Sequence, residues 1–209
     1  MTSIPIKTAL LVPGDDILEV ARVAVAAAGL SPLPGDILVI CGSPLAITQG
    51  RMVHVDALDP GLTARVFCRL LSTRGSLGTA SGMQTAIDVA GRARIALALA
   101  AGHAGRLIGR HGDFYRVAGR QVAWIDHVSA TTPTDGQRII LAPDDPRGVA
   151  VRMAEAMGCG AAVVEADDVG TVEILGASAF LDWDRLTEAM QADPRGNADE
   201  QAPLVLVRA

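Results

Sequence analysis

Three short apolar runs constrain the fold of this chain more than any other feature. Ile37-Leu38-Val39-Ile40-Cys41 is a short apolar run that reads as a buried strand, Ala161 to Ala166 reads as a strand, and Leu204-Val205-Leu206-Val207 reads as an apolar strand tied into a sheet. Strands and helices are mixed along the chain, so it reads as neither a regular βαβ repeat nor a Rossmann fold. Carboxylates sit where strands are expected to end. Asp126 closes Gln121-Val122-Ala123-Trp124-Ile125, and Asp167-Asp168 close Ala161 to Ala166. Ligands of α/β proteins lie outside the carboxyl ends of the sheet. Three carboxylates converging there would repel unless a hard divalent cation or protons neutralised them. The competing reading is that each Asp simply caps a turn.

The 209 residues are half apolar, enough for one good core or a larger and a smaller lobe. A formal charge of -5 argues against a nucleic-acid backbone as the main partner, and aromatic residues at 3% argue against base stacking. Lys7 is the only lysine, so arginine carries nearly all the positive charge. Cys41, Cys68 and Cys159 lack metal-ligand or disulfide spacing, and reduced thiols fit a cytoplasmic protein. Among the scattered histidines only His127, beside Asp126, stands near candidate chemistry. No signal peptide is legible. Ile87 to Leu99 is interrupted by charge and too short to span a bilayer, so a soluble protein without membrane contact is expected.

Along the chain, Pro13-Gly14-Asp15-Asp16 reads as a turn into a helix from Ile17 to Ala28, stopped by Gly29. Gly42-Ser43-Pro44 breaks the strand that ends at Cys41, and Met52 to Val55 reads as another strand. A helix lies between Leu58 and Gly78, and Ser72 to Gly82 reads as a flexible connector that matches no phosphate-loop pattern. The helix from Met83 to about Ile108 is expected to be bent or split at its glycines. Phe114 to Val117 and Gln121 to Asp126, with Ala118-Gly119-Arg120 between them, read as a hairpin. A short strand is expected at Ile139 to Leu141, a helix from Pro143 to about Met157, and another helix from Asp184 to Gln191. Ala192 to Gln201 reads as a loop before the terminal strand.

The order of these pieces resembles the CofE-like family, the coenzyme F420 γ-glutamyl ligases. The residues that carry the resemblance are Val12-Pro13-Gly14-Asp15-Asp16-Ile17, Pro34 to Ile40, Gln49-Gly50-Arg51, Ile125-Asp126-His127-Val128-Ser129, Leu141 to Pro146, Asp167-Asp168-Val169-Gly170 and Pro203 to Arg208. The resemblance implies a two-lobed α/β fold with a mixed α+β sheet in an intertwined homodimer. It implies one CofE-like domain over 1–209, with a smaller lobe around 109–142. It further implies GTP as co-substrate and Mn²⁺ or Mg²⁺ as metal, used to join L-glutamate to a small-molecule acid, the carboxylate of a coenzyme precursor. By position, Asp126 and Asp167 match metal-binding aspartates, and Asp168 stands where the family has a metal-facing Ser or Thr. Gly42, Ser43, Arg51 and Ser129 fall in the nucleotide-binding segments. A carboxylate is a poor electrophile, so activation as an acyl phosphate is the chemistry such a site serves.

The chain departs from the family pattern at several points. Ser43 and Ile47 stand in place of two lysines, and Gln49 in place of a glutamate. Loss of two ammonium groups from a triphosphate pocket costs on the order of several kcal/mol unless arginines compensate. The segment after Asp168 is shortened to Val169-Gly170-Thr171, the insertion before the last strand is missing, and Val122 to Ile125 replace Asn-Ala-Gly. Two readings follow. One is a divergent GTP- and metal-dependent γ-glutamyl ligase. The alternative is a non-catalytic relative that binds a small acidic ligand or metal, or acts as a subunit of a larger enzyme.

Overall fold

The computed structural model describes residues 2–71, 75–127, 138–166, 172–179, 181–191 and 202–208. Before Met52 run β1 (Thr2–Ile6), α1 (Ile17–Ala27), β2 (Ile37–Cys41) and α2 (Gly42–Thr48). Then come β3 (Met52–His54), α3 (Leu62–Leu70), α4 (Ala80–Ala90), α5 (Arg92–Leu107), α6 (Asp113–Ala118), α7 (Arg120–Ala123), β4 (Asp126–His127) and β5 (Arg138–Ile140). Last are α8 (Pro146–Met157), β6 (Gly160–Ala166), β7 (Val172–Ala177), α9 (Trp183–Gln191) and β8 (Leu204–Arg208). The chain divides into two compact units, the first taking in 1–51 and 143–209, the second 52–130 and 134–142. Among the described residues no helix is long and apolar enough to cross a membrane.

The first unit holds a five-stranded mixed sheet in the order β1-β8-β2-β6-β7. Only β2 and β6 run parallel, pairing Ile37 with Gly160 through Cys41 with Val164. All three apolar runs are adjacent central strands, as their uninterrupted apolarity requires. Alternation divides their side chains between two faces. Ile37, Val39, Ala162, Val164, Val205 and Val207 pack with Leu186, Ala189 and Met190 of α9. The opposite face takes α8. Gly176 of β7 pairs with Val163, and a Cβ at Gly176 would strike the backbone of Pro146 and Arg147 in the first turn of α8.

Local chemistry sets the element ends in this unit. Asp16 caps α1 by accepting the Leu18 N–H at 2.9 Å, whereas Asp15 accepts the Val12 N–H at 2.8 Å and closes the turn. Gly42-Ser43-Pro44 does break β2, but only by opening α2 directly. Pro44 falls in the first helical turn, where its missing N–H has no intrahelical partner to lose. An N-terminal strand, β1, is also present; the polar residues of Thr2-Ser3-Ile4-Pro5-Ile6 hide it from a hydrophobic reading.

The second unit is mostly helical, with a three-stranded sheet β3-β5-β4. Its core gathers Met83, Ile87, Ile95, Leu99, Phe114, Val122 and Ile139, among others. Gly91, at φ 85°, splits the long helical stretch into α4 and α5. The hairpin expected from 114 to 126 is absent. Those residues form α6 and α7, because Phe114, Ala118 and Val122 recur at helical spacing and are all buried. Asp113 accepts from Arg116 at 2.6 Å and from Arg110 at 3.1 Å, an arrangement suited to a first helical turn. Asp126 therefore opens a strand instead of closing one. It pairs with Ile140 of β5.

Candidate functional site

Parallel pairing of β2 with β6 places their carboxyl ends side by side, Cys41 opposite Val164. The residues just past those ends form the candidate site. Ser43 Oγ donates to Glu165 Oε1 at 3.3 Å. Gly42 approaches so closely that an added Cβ would meet the Glu165 carboxylate and, at 2.7 Å, a methyl of Leu175. Gly42 is thus a packing requirement, and it brings the first turn of α2 onto β6 and β7. Glu165 was not singled out by sequence. The available signal was an acid at the carboxyl end of an otherwise apolar strand, where a buried charge needs a partner.

At the other end of α2, the motif residues Gln49-Gly50-Arg51 form a helix terminus. The Gly50 N–H bonds the Ile47 carbonyl at 2.9 Å and the Arg51 N–H bonds the Ala46 carbonyl at 2.9 Å, with Gly50 at φ 68°. These are the paired bonds of a Schellman cap, which explains why a glycine stands between Gln49 and Arg51. Gln49 does more. Its Nε2 donates to the Asp144 carbonyl at 2.9 Å while its Oε1 accepts the Asp144 N–H at 2.7 Å. A glutamate could make only the second of these bonds, so the amide at this position has a structural reason. The Gly14 N–H bonds the Thr48 carbonyl at 2.8 Å. Three motif segments, around Gly14, Gln49 and Asp144, are therefore tied together at the carboxyl end of α2.

The loop held by Gln49 launches α8. Asp145 takes a left-handed conformation (φ 42°, ψ 52°) and caps the helix by accepting the Gly148 N–H at 3.0 Å. Strain at a non-glycine residue in this region is offset by a side chain that hydrogen-bonds locally.

The predicted residues are distributed as follows. Gly42 and Ser43 lie together beside Glu165, and Arg51 follows α2 as a half-buried side chain that is not free of partners. Ile47, one of the two positions at which the resemblance implies a lysine, is buried at 5% exposure within the same helix. Asp126 begins β4 in the second unit. Asp167 and Asp168, directly after β6, and Ser129 lie outside the described residues. Among the described residues no three His, Cys, Asp or Glu side chains gather to hold a metal. By residue type alone, Asp126, Asp167 and Asp168 each offer the carboxylate oxygens that hard cations take.

Comparison with known proteins adds one positive finding. No individually curated protein matches the chain. The model of the F420-0:gamma-glutamyl ligase family matches residues 5–180, a span that takes in the motifs from Val12 to Gly170, the second unit and Glu165, and leaves Pro203 to Arg208 outside it. On that match the chain belongs to the F420-0:gamma-glutamyl ligase family.

Proposed function

We propose that this protein is a divergent γ-glutamyl ligase that joins the amine of L-glutamate to a coenzyme-precursor carboxylate, with GTP as phosphoryl donor and Mn²⁺ or Mg²⁺ as metal. The observation that carries this reading is the family match over residues 5–180. Asp126, Asp167 and Asp168 would hold the metal, which neutralises phosphate charge and so lets a carboxylate be activated for attack by the amine. The chain's own contribution at the end of β2 is electrostatic. Ser43 Oγ is engaged by Glu165, so this corner presents carboxylate where the family presents ammonium. A bare triphosphate would be repelled there, whereas a metal-bound one would not. Arg51 supplies the nearby positive charge in sequence.

A homodimer belongs to the same proposal. Leu62, Val66 and Leu70 recur every fourth residue along α3 and are exposed, Leu62 at 81%, which gives the second unit an apolar row suited to a partner. Light scattering on the purified protein reads the mass directly.

The test of activity is incubation with F420-0, L-glutamate, GTP and Mn²⁺, with product mass as readout. A γ-glutamyl adduct that disappears in Asp126→Asn, while that variant keeps its melting temperature, is the expected result. Unchanged turnover in Asp126→Asn would remove the metal assignment. A non-catalytic role is the second reading, favoured by buried Ile47 and engaged Ser43 at the two lysine positions. Absence of adduct with either metal and with GTP or ATP would decide for it.

A further inference from the structure

The small sheet of the second unit is built around β5. That strand lies between β3, whose first residue follows the motif residue Arg51, and β4, which begins with Asp126. Arg138 is the first residue of β5. It pairs with His54 and stands two residues before Ile140, which pairs with both Met52 and Asp126. Ile139 packs into the core of the second unit, so alternation directs Arg138 to the opposite face of the sheet.

Other arginines of this unit are tied to the fold. Arg94 Nε donates to the Val117 carbonyl at 2.8 Å, and Arg110 and Arg116 both pair with Asp113. Arg138 differs: it is half-buried, and its guanidinium makes no hydrogen bond or ion pair among the described residues. The cross-strand neighbour His54 is turned to Asp56 instead, its Nδ1 accepting the Asp56 N–H at 3.3 Å. Only Nε of Arg138 is buried without a partner; the two Nη nitrogens are not shut off and can be reached from outside. A charged group held half-buried without a partner costs stability, so the fold gains nothing from this guanidinium.

We propose that Arg138 binds a phosphate of the nucleotide through its Nη nitrogens and supplies the positive charge that Ser43 and Ile47 do not. The inference rests on the ligase reading, in which Asp126 holds the metal. Asp126 and Arg138 belong to adjacent strands, so metal ligand and phosphate donor come from one small sheet. The planar fork of a guanidinium matches two phosphate oxygens at once, and a stem held by the sheet loses little freedom when they bind.

Calorimetric titration with GTP in the presence of Mn²⁺ tests it on the full chain, Arg138→Met and Arg138→Lys. The parent is expected to bind, and Arg138→Met to bind about tenfold or more weakly. Arg138→Lys should fall between them, because an ammonium keeps the charge and loses the fork. Guanosine, which carries no phosphate, should distinguish none of the three. Without ligand, Arg138→Met should melt no lower than the parent, since it removes a donor that has no partner. Equal GTP affinity in the parent and Arg138→Met would overturn the inference and leave the ligase reading standing. No GTP binding by the parent would overturn both. A lower melting temperature of unliganded Arg138→Met, or an equal loss of guanosine binding, would assign the guanidinium to the fold and overturn the inference alone.

Discussion

At residue scale, positions that look like site chemistry in the sequence have structural partners. Gln49 is the clearest. Its amide meets both the N–H and the carbonyl of Asp144, so Gln49→Glu keeps one bond and turns the other into an oxygen–oxygen contact. We expect a loss on the order of 1–2 kcal/mol, read as a lower urea midpoint with unchanged slope. Cys159 makes the second residue-scale prediction. Burial pushes its thiol above the ordinary range, and the nearby Asp36 charge pushes the same way against a backbone hydrogen bond that lowers it. A group whose folded-state value is raised favours the native state below its unfolded value and loses that contribution as pH climbs through the folded one. Stability should therefore fall more steeply in the alkaline range for the parent protein than for Cys159→Ala. Iodoacetamide should also label Cys159 slowly near neutral pH, and rapid labelling of the native protein would contradict the assignment. Asp15 and Asp16 were legible as turn and cap residues from sequence. Glu165 was not, because its partner Ser43 lies 122 residues away.

At the scale of elements, close approach decides more than propensity. Gly176 sits opposite Val163, next to the register shift between Val163 and Val164, and faces the first turn of α8. The atoms that a Cβ would strike there belong to the backbone of Pro146 and Arg147, which cannot rotate away. Gly176→Ala should thus cost about 2–3 kcal/mol, measurable by thermal denaturation, and a neutral result would mean that α8 shifts freely on the sheet. The helices α6 and α7 show how an element is misread. Phe114 to Val117 has aromatic and β-branched residues, and Gly119 resembles a hairpin turn, but the buried set is Phe114, Ala118 and Val122. Helical period outweighed strand propensity because these side chains share one apolar neighbourhood with α5 and α4. Gly91 and Gly119, both at positive φ, then act as boundaries between helices.

At the scale of the whole molecule, the first sheet is closed by the last strand of the chain. β8 lies between β1 and β2, bonded antiparallel to both, so a strand about 160 residues beyond β2 in sequence occupies the second place in the sheet. Removing residues 203–209 would strip hydrogen bonds from β1 and β2 together and expose Val39 and Ile40. We expect a truncated chain with no cooperative thermal transition; a sharp transition near that of the parent would show that the sheet does not depend on β8. Sequence by itself determined the buried strands, the capped helices α1 and α8, and membership in the ligase family. These rest on local composition and on the order of short motifs, which a single chain displays directly. Tertiary structure alone decided that Glu165 meets Ser43, that Gln49 clamps Asp144, and that Ile47 faces the core. Each of these joins residues far apart in the chain, or depends on which side of a helix is covered, and such contacts exist only once the strands have taken their order in the sheet.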